Sequence, residues 1–186
     1  HLARAFVSAV YFRFPSRQLV IVGITGTDGK TTTANMLFHI LNSKTPYVSM
    51  VSSLGAQIGK RTIETGLHVT TPSPWQVQKL LRTAVNSKSK YFILEATSHG
   101  LDQNRMAFIN FKVAALTNIT SEHLDYHKNW QNYAKSKSKL FKGAQYSILN
   151  HDDKSFSALK DKIRGKIVSY GLSKNSAVNP EKLPLR

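Results

Sequence analysis

A chain of 186 residues with 41% hydrophobic content is long enough for one domain with a substantial core and short for two. The absence of cysteine excludes disulfides and thiolate metal sites and agrees with a cytoplasmic setting, while no apolar run approaches the ~20 residues of a membrane span. A formal net charge of +16 attracts polyanions, from nucleotides and nucleotide-sugars to nucleic acids and anionic lipid; the plainer reading is that most of these lysines form solvated helix faces.

The chain opens His-Leu-Ala-Arg, without the ordered regions of a signal peptide, and reads as an excised piece. Leu2, Phe6 and Val10, spaced four apart with Ala5, Ala9 and Phe12 nearby, predict a short amphipathic helix over 2–14 that ends near Pro15, a linker from an upstream domain over 1–16. The apolar, β-branched run 19–24 predicts a strand buried on both faces of a parallel sheet. A glycine-containing turn leads from it to a helix over 31–41.

The alternation continues with a strand near 47–51, a hairpin over 54–65, a helix near 74–85 and a strand at 91–95. Further strands are expected at 113–117, 146–149 and 166–170, and helices around 130–141 and 154–163. Trp75 and Trp130 read as core or edge residues. This order predicts a doubly wound α/β domain over 17–172 with a mostly parallel sheet, whose ligands sit beyond the carboxyl ends of the strands. The stretch 173–186, with Pro180 and Pro184, reads as a linker or truncated end.

Gly26-Thr27-Asp28-Gly29-Lys30-Thr31-Thr32 joins the first strand to the first helix of that alternation. Glycines let backbone N–H groups approach phosphates, the helix N-terminus adds partial positive charge, Lys30 reaches the outer phosphates and the Thr31 hydroxyl is a Mg²⁺ ligand. The strict phosphate-loop pattern has glycine where this chain has Ile24, so the loop is a variant. Glu95 closes an apolar strand at the same end of the sheet and is the expected carboxylate partner of the metal; the alternative is a merely solvated acid. Together these point to a nucleotide site with Mg²⁺. His123 and His127, four apart, would share a helix face, as packing or as metal ligands.

At this point the sequence resembles the Mur ligases, in particular the branch that makes UDP-N-acetylmuramoyl-tripeptide. The resemblance rests on the loop at 26–32, on Thr70-Thr71-Pro72, on residues 95–105 (similar to E-x-S-S-H-G-L-x-Q-x-R) and on residues 117–127 (similar to T-N-x-x-x-D-H-L-D-Y-H). Asp28 stands where asparagine is frequent, Thr97 where serine is usual and Glu122 where aspartate is usual. The resemblance implies an ATP-dependent amide ligase acting through an acyl phosphate, with Gly26, Thr27, Asp28, Gly29, Lys30, Thr31, Thr32 and Asn118 at the nucleotide. It also implies Thr31 and Glu95 on one Mg²⁺, and His123 with a carbamylated Lys137 in a second metal region. Thr70, Thr71, Ser98, Gln103 and Arg105 would hold the UDP-muramoyl dipeptide, and Lys30, Lys137 and His123 would be catalytic. Partners would be that dipeptide, the incoming amino acid and the flanking domains of the same ligase, which do not fit within this chain.

Lys135, Lys137 and Lys139 also read as one exposed helix face. A P-loop kinase or ATPase would share Lys30, Thr31 and Glu95 without needing Thr70-Thr71-Pro72 or the Gln103 and Arg105 pair. A basic nucleic-acid-binding domain would exploit the net charge, but no recognised nucleic-acid motif is present and none is expected to be bound.

Overall fold

The computed structural model describes residues 1–59, 61–63, 71–120 and 127–182. β1 (Val20–Thr25) sits near the centre of an eight-stranded sheet ordered β4-β3-β2-β5-β1-β6-β7-β8. β2 (Val48–Ser52), β5 (Tyr91–Glu95), β1, β6 (Phe111–Leu116), β7 (Tyr146–Asn150) and β8 (Lys166–Tyr170) run parallel. The predicted hairpin supplies the antiparallel edge, β3 (Gly55–Ile58) and β4 (Arg61–Ile63).

Strand periodicity divides the core into two layers. Ile21, Phe92, Leu94 and Val51 point to one face, where α3 (Pro74–Asn86) inserts Val77, Leu81 and Ala84, while α5 (Trp130–Ser138) contributes Tyr133 and Ala134. Val22, Ile24, Met50 and Ile93 point to the other, against Ala34 and Phe38 of α2 (Lys30–Asn42). Each fully buried apolar side chain of this size stabilises by about 1.5–3 kcal/mol relative to exposure. At Gly23 a Cβ would come within 2.7 Å of Leu140 and 2.8 Å of the Phe111 ring, so close packing over the central strand excludes larger residues there.

α1 (Leu2–Tyr11) is shorter than the expected 2–14. Arg13 and Phe14 adopt positive φ of 58° and 48°, and Pro15 starts a 3-10 turn through Gln18. The buried face of α1 also differs from expectation. Ala5, Ser8 and Ala9 face inward, since small side chains let this helix approach α3 closely, whereas Leu2, Phe6 and Val10 remain 48–54% exposed.

Elsewhere β6 starts at Phe111, earlier than expected, and α5 passes at Lys139 into a 3-10 turn. α6 (Lys154–Leu159) does likewise at Lys160. A five-residue helix, α4 (Ser98–Asp102), appears where no helix was expected; Thr97 caps it by accepting from Gly100 N at 3.1 Å. Beyond β8 the chain turns back: Val178 bridges to Tyr170, and the Asp152 carboxylate accepts from Leu172 N and Ser173 N.

Candidate functional site

The carboxyl ends of β1, β2, β5 and β6 meet around the loop 26–29. Gly29, in left-handed conformation at φ 75°, caps α2, and the first turn of that helix carries no acidic residue to cancel its positive end. The loop is held from β6. Asn118 Oδ1 accepts from Thr27 N at 3.1 Å and Asp28 N at 2.9 Å, and the Thr117 hydroxyl donates to Asp28 O at 2.6 Å. Thr27 Oγ1 accepts from Thr120 N at 3.0 Å and lies 3.3 Å from the Tyr133 hydroxyl. A Cβ on Gly26 would fall 1.7 Å from Thr117 Oγ1, so this glycine allows the close contact between loop and strand end.

Lys30 Nζ donates to Thr27 O at 2.6 Å and folds over the loop, while Thr32, in the same first turn of α2, is exposed. Thr31 Oγ1 lies 3.0 Å from both Glu95 carboxylate oxygens and 2.8 Å from Ser53 Oγ. Glu95 also accepts from Ser53 N at 3.0 Å and Ser53 Oγ at 3.3 Å, and is 1% exposed. Three hard oxygen donors on three different elements therefore converge behind the loop, a set suited to Mg²⁺ completed by phosphate oxygens and water. Among the described residues no group of three or more His, Cys, Asp or Glu could hold a metal without such help.

Lys137 is 1% exposed, which removes it from the exposed face predicted as an alternative; Lys135 on the same helix does lie in solvent. Lys137 Nζ donates to Gly26 O at 2.5 Å and stands 4.3 Å from the centre of the Tyr133 ring. The Tyr133 ring in turn lies 5.0 Å from that of buried His127, which is 5.6 Å from the His99 ring. His123 and Thr70 lie outside the described residues.

A second constellation borders the first. Thr71 Oγ1 lies 2.7 Å from Thr97 Oγ1 and accepts from Thr97 N at 3.1 Å. The Arg105 guanidinium donates to Thr71 O and to Gln103 Oε1, both at 2.8 Å. Ser98 is buried, and its carbonyl accepts from the Ser136 hydroxyl at 2.7 Å. Thr71, Gln103 and Arg105 thus lie together, with Thr97 beside them. Ser53 and Tyr133 were not singled out by sequence. Ser53 follows β2, and its placement beside Glu95 depends on β2 and β5 being sheet neighbours.

At the far end of the same edge, Tyr170 donates to the carbonyls of Leu116 and Thr117, both at 3.3 Å. Burial, then the negative charges of Asp153 and Asp152, push its phenol above the ordinary value of 10.0.

With the site in view, the chain can be set beside known proteins. The Mur ligase middle domain family matches residues 24–184. Over 181 residues the chain is 39% identical to UDP-N-acetylmuramoyl-L-alanyl-D-glutamate--2,6-diaminopimelate ligase of Clostridium botulinum, covering 97% of the chain and 37% of the relative. UDP-N-acetylmuramyl-tripeptide synthetase 2 of Oceanobacillus iheyensis is 34% identical over 177 residues, with 91% and 36% covered. A solved structure of a UDP-N-acetylmuramoyl-L-alanyl-D-glutamate--2,6-diaminopimelate ligase superimposes with a TM-score of 0.80 at 26% identity, covering 92% of this chain and 37% of that one. E. coli FolC in complex with ADP shares the fold at TM-score 0.72 and 17% identity, with 91% and 47% covered. The chain spans a little over a third of the length of the curated relatives it matches.

Proposed function

The chain belongs to the Mur ligase middle-domain family, and from that premise we propose that it is the ATP-binding part of a ligase of bacterial peptidoglycan synthesis, one that adds the third residue to UDP-N-acetylmuramoyl-L-alanyl-D-glutamate. Relatives named for that activity support the reading. The observation that carries it is the convergence of Thr31, Ser53 and Glu95 behind a glycine loop that is held open by Asn118 and Thr117.

In the proposed reaction a substrate carboxylate oxygen attacks the γ-phosphorus of ATP, the bond to the β–γ bridging oxygen breaks and ADP leaves. The amine of the incoming amino acid then attacks the acyl phosphate, loses its proton and expels inorganic phosphate. Charge builds on phosphoryl oxygens, so the protein's task is electrostatic and positional. Lys30, the N–H groups of 29–32 and the α2 N-terminus hold the phosphates, while Asn118, which takes the N–H groups of Thr27 and Asp28, sets the shape of the loop that faces the nucleotide. Thr31, Ser53 and Glu95 would hold Mg²⁺, which when bound neutralises phosphate charge.

Lys137 is the proposed carbamylation site and, with His123, would serve a second metal ion. A carbamate there would convert a buried cation into a carboxylate-like anion. Thr70, Thr71, Ser98, Gln103 and Arg105 would bind the UDP-muramoyl dipeptide; the Arg105 guanidinium, already oriented by Thr71 and Gln103, suits an anionic group. The amino acid and the rest of the substrate would contact the remainder of the longer ligase. Activity would therefore need that remainder.

Calorimetric titration with Mg-ATP and then with UDP-muramoyl-Ala-Glu, comparing the native chain with Lys30→Ala and Arg105→Ala, tests the assignment. Each substitution is expected to abolish binding of its own ligand and spare the other. Loss of neither ligand in either variant would overturn the two-subsite reading.

A further inference from the structure

Every one of the parallel strands begins beside a cation. Lys44 lies in the turn leading to β2, Lys90 immediately precedes β5, Arg17 lies in the 3-10 turn before β1, Lys112 is the second residue of β6, Lys142 leads into β7 and Lys166 opens β8. All are exposed. With the strands ordered β2-β5-β1-β6-β7-β8 and neighbours about 4.8 Å apart, the cations form a row about 24 Å long on the amino edge of the sheet.

Lys88 and Arg164, also exposed, widen the row. None of these cations is ion-paired with a carboxylate among the described residues. The acids are distributed the other way. Asp28, Glu95, Asp152 and Asp153 cluster at the carboxyl edge, whereas near the amino edge the described acids are Asp161 and Asp102, the latter 3.1 Å from Lys139.

An apolar surface adjoins the row. A cleft of about 650 Å³ is lined by Leu2, Met106, Phe108 and Phe111 together with Lys139 and Lys142. Leu2 and Phe108 are 54% and 43% exposed, and Phe6, 50% exposed, packs edge-on against Phe108 with ring centroids 5.4 Å apart. Tyr47, half exposed just ahead of β2, puts an aromatic ring at the same edge.

We propose that this edge is a docking surface for an anionic lipid bilayer, with the lysine row over the phosphates and Leu2, Phe6 and Phe108 at the boundary between headgroups and acyl chains. Unpaired lysines beside exposed apolar side chains are the pattern of peripheral membrane binding. A nucleic acid would use the charge but has no use for an apolar cleft, and a row of six lysines to two arginines offers few of the forked donors suited to reading bases. Because the phosphate loop opens at the opposite edge, the bilayer and a nucleotide could be bound together. The proposal stands on the edge itself and is independent of the ligase reading.

Cosedimentation of the 186-residue chain with phosphatidylcholine vesicles, with and without phosphatidylglycerol, tests it. Binding is expected to the anionic vesicles alone and to fall as salt is raised. Each lysine near such a surface contributes about fivefold, so the Lys112→Gln, Lys142→Gln, Lys166→Gln triple variant should bind roughly a hundredfold more weakly. The Leu2→Ser, Phe6→Ser variant should also bind more weakly, at unchanged charge. Equal binding to neutral vesicles, no binding to either, or an undiminished triple variant would overturn the proposal. So would tight binding to duplex DNA with none to vesicles, which would assign the row to nucleic acid. The salt dependence of the unaltered chain keeps the test decisive if a variant misfolds.

Discussion

Replacing Gly26 with alanine puts the sharpest demand on the geometry of the loop. The added Cβ would lie 1.7 Å from Thr117 Oγ1, 3.0 Å from Thr117 Cβ and 3.3 Å from Asn118 N. Two of these atoms belong to the Thr117 side chain, whose hydroxyl ties down Asp28 O at 2.6 Å. Either that side chain rotates and releases its hydrogen bond, or the loop moves away from β6. Overpacking of this kind costs about 1–3 kcal/mol and the lost hydrogen bond about 0.5–1.5 kcal/mol, so a total near 2–4 kcal/mol is expected. In a domain of this size each kcal/mol lowers Tm by about 2–4 °C, giving a fall of about 5–15 °C. Thermal unfolding followed by circular dichroism measures it. The companion experiment is the Gly26→Ala, Thr117→Ala double variant: removing Oγ1 relieves the closest contact, so the double should be more stable than the sum of the singles by about 1–2 kcal/mol. Strict additivity, or a Gly26→Ala protein within about 0.5 kcal/mol of the native chain, would refute the account of how the loop is held.

Three further outcomes follow from the site. Glu95→Gln keeps the shape of the side chain and removes the anion among Thr31 and Ser53; in a thermal-shift assay with ATP, the stabilisation added by Mg²⁺ should disappear while that from ATP alone persists. Incubating the chain with ¹³C-bicarbonate should yield a carbamate resonance that is absent from Lys137→Arg, and an identical spectrum from both proteins would remove Lys137 from that role. Tyr170 gives a pH signature. Its phenol is raised by burial and by Asp153 and Asp152, so the unfolded chain releases this proton first, and the stability it contributes is complete below about pH 10 and lost as pH rises through the higher folded value. Denaturant unfolding at increasing pH should therefore show a shallower alkaline decline for Tyr170→Phe than for the native chain.

How far the sequence reached depended on whether the signal was local. β1, the loop and α2 were legible because an apolar β-branched run, a glycine turn and Lys30-Thr31 lie within a few residues of each other. Residues 71 and 97–105 were legible only through resemblance, since Thr71 meets Thr97 and Arg105 by way of a fold that brings the α3 N-terminus beside the end of β5. Ser53 carried no local signal. Its value arises from sheet order, which sets β2 against β5 and so brings a serine N–H and hydroxyl to Glu95.

Two helices bury a different face from the one their side-chain types suggest. In α1 the larger residues Leu2, Phe6 and Val10 suggested the buried stripe, yet the helix packs through Ala5, Ser8 and Ala9, because contact with α3 selects small side chains over hydrophobic ones. In α5 the alternating lysines suggested an exposed face, but the inward side of the helix is Tyr133, Ala134, Ser136 and Lys137. Residues 133 and 137 are one helical turn apart, so the burial of Lys137 follows from that of Tyr133 once α5 lies against the sheet. A lysine placed at a core position by helix geometry needs a polar partner, and Gly26 O supplies one at 2.5 Å. The same arrangement aims its amine at the loop proposed to meet phosphate. Burial of an ionisable group beside such a loop is costly for folding alone, and that cost supports the proposed chemical role of Lys137.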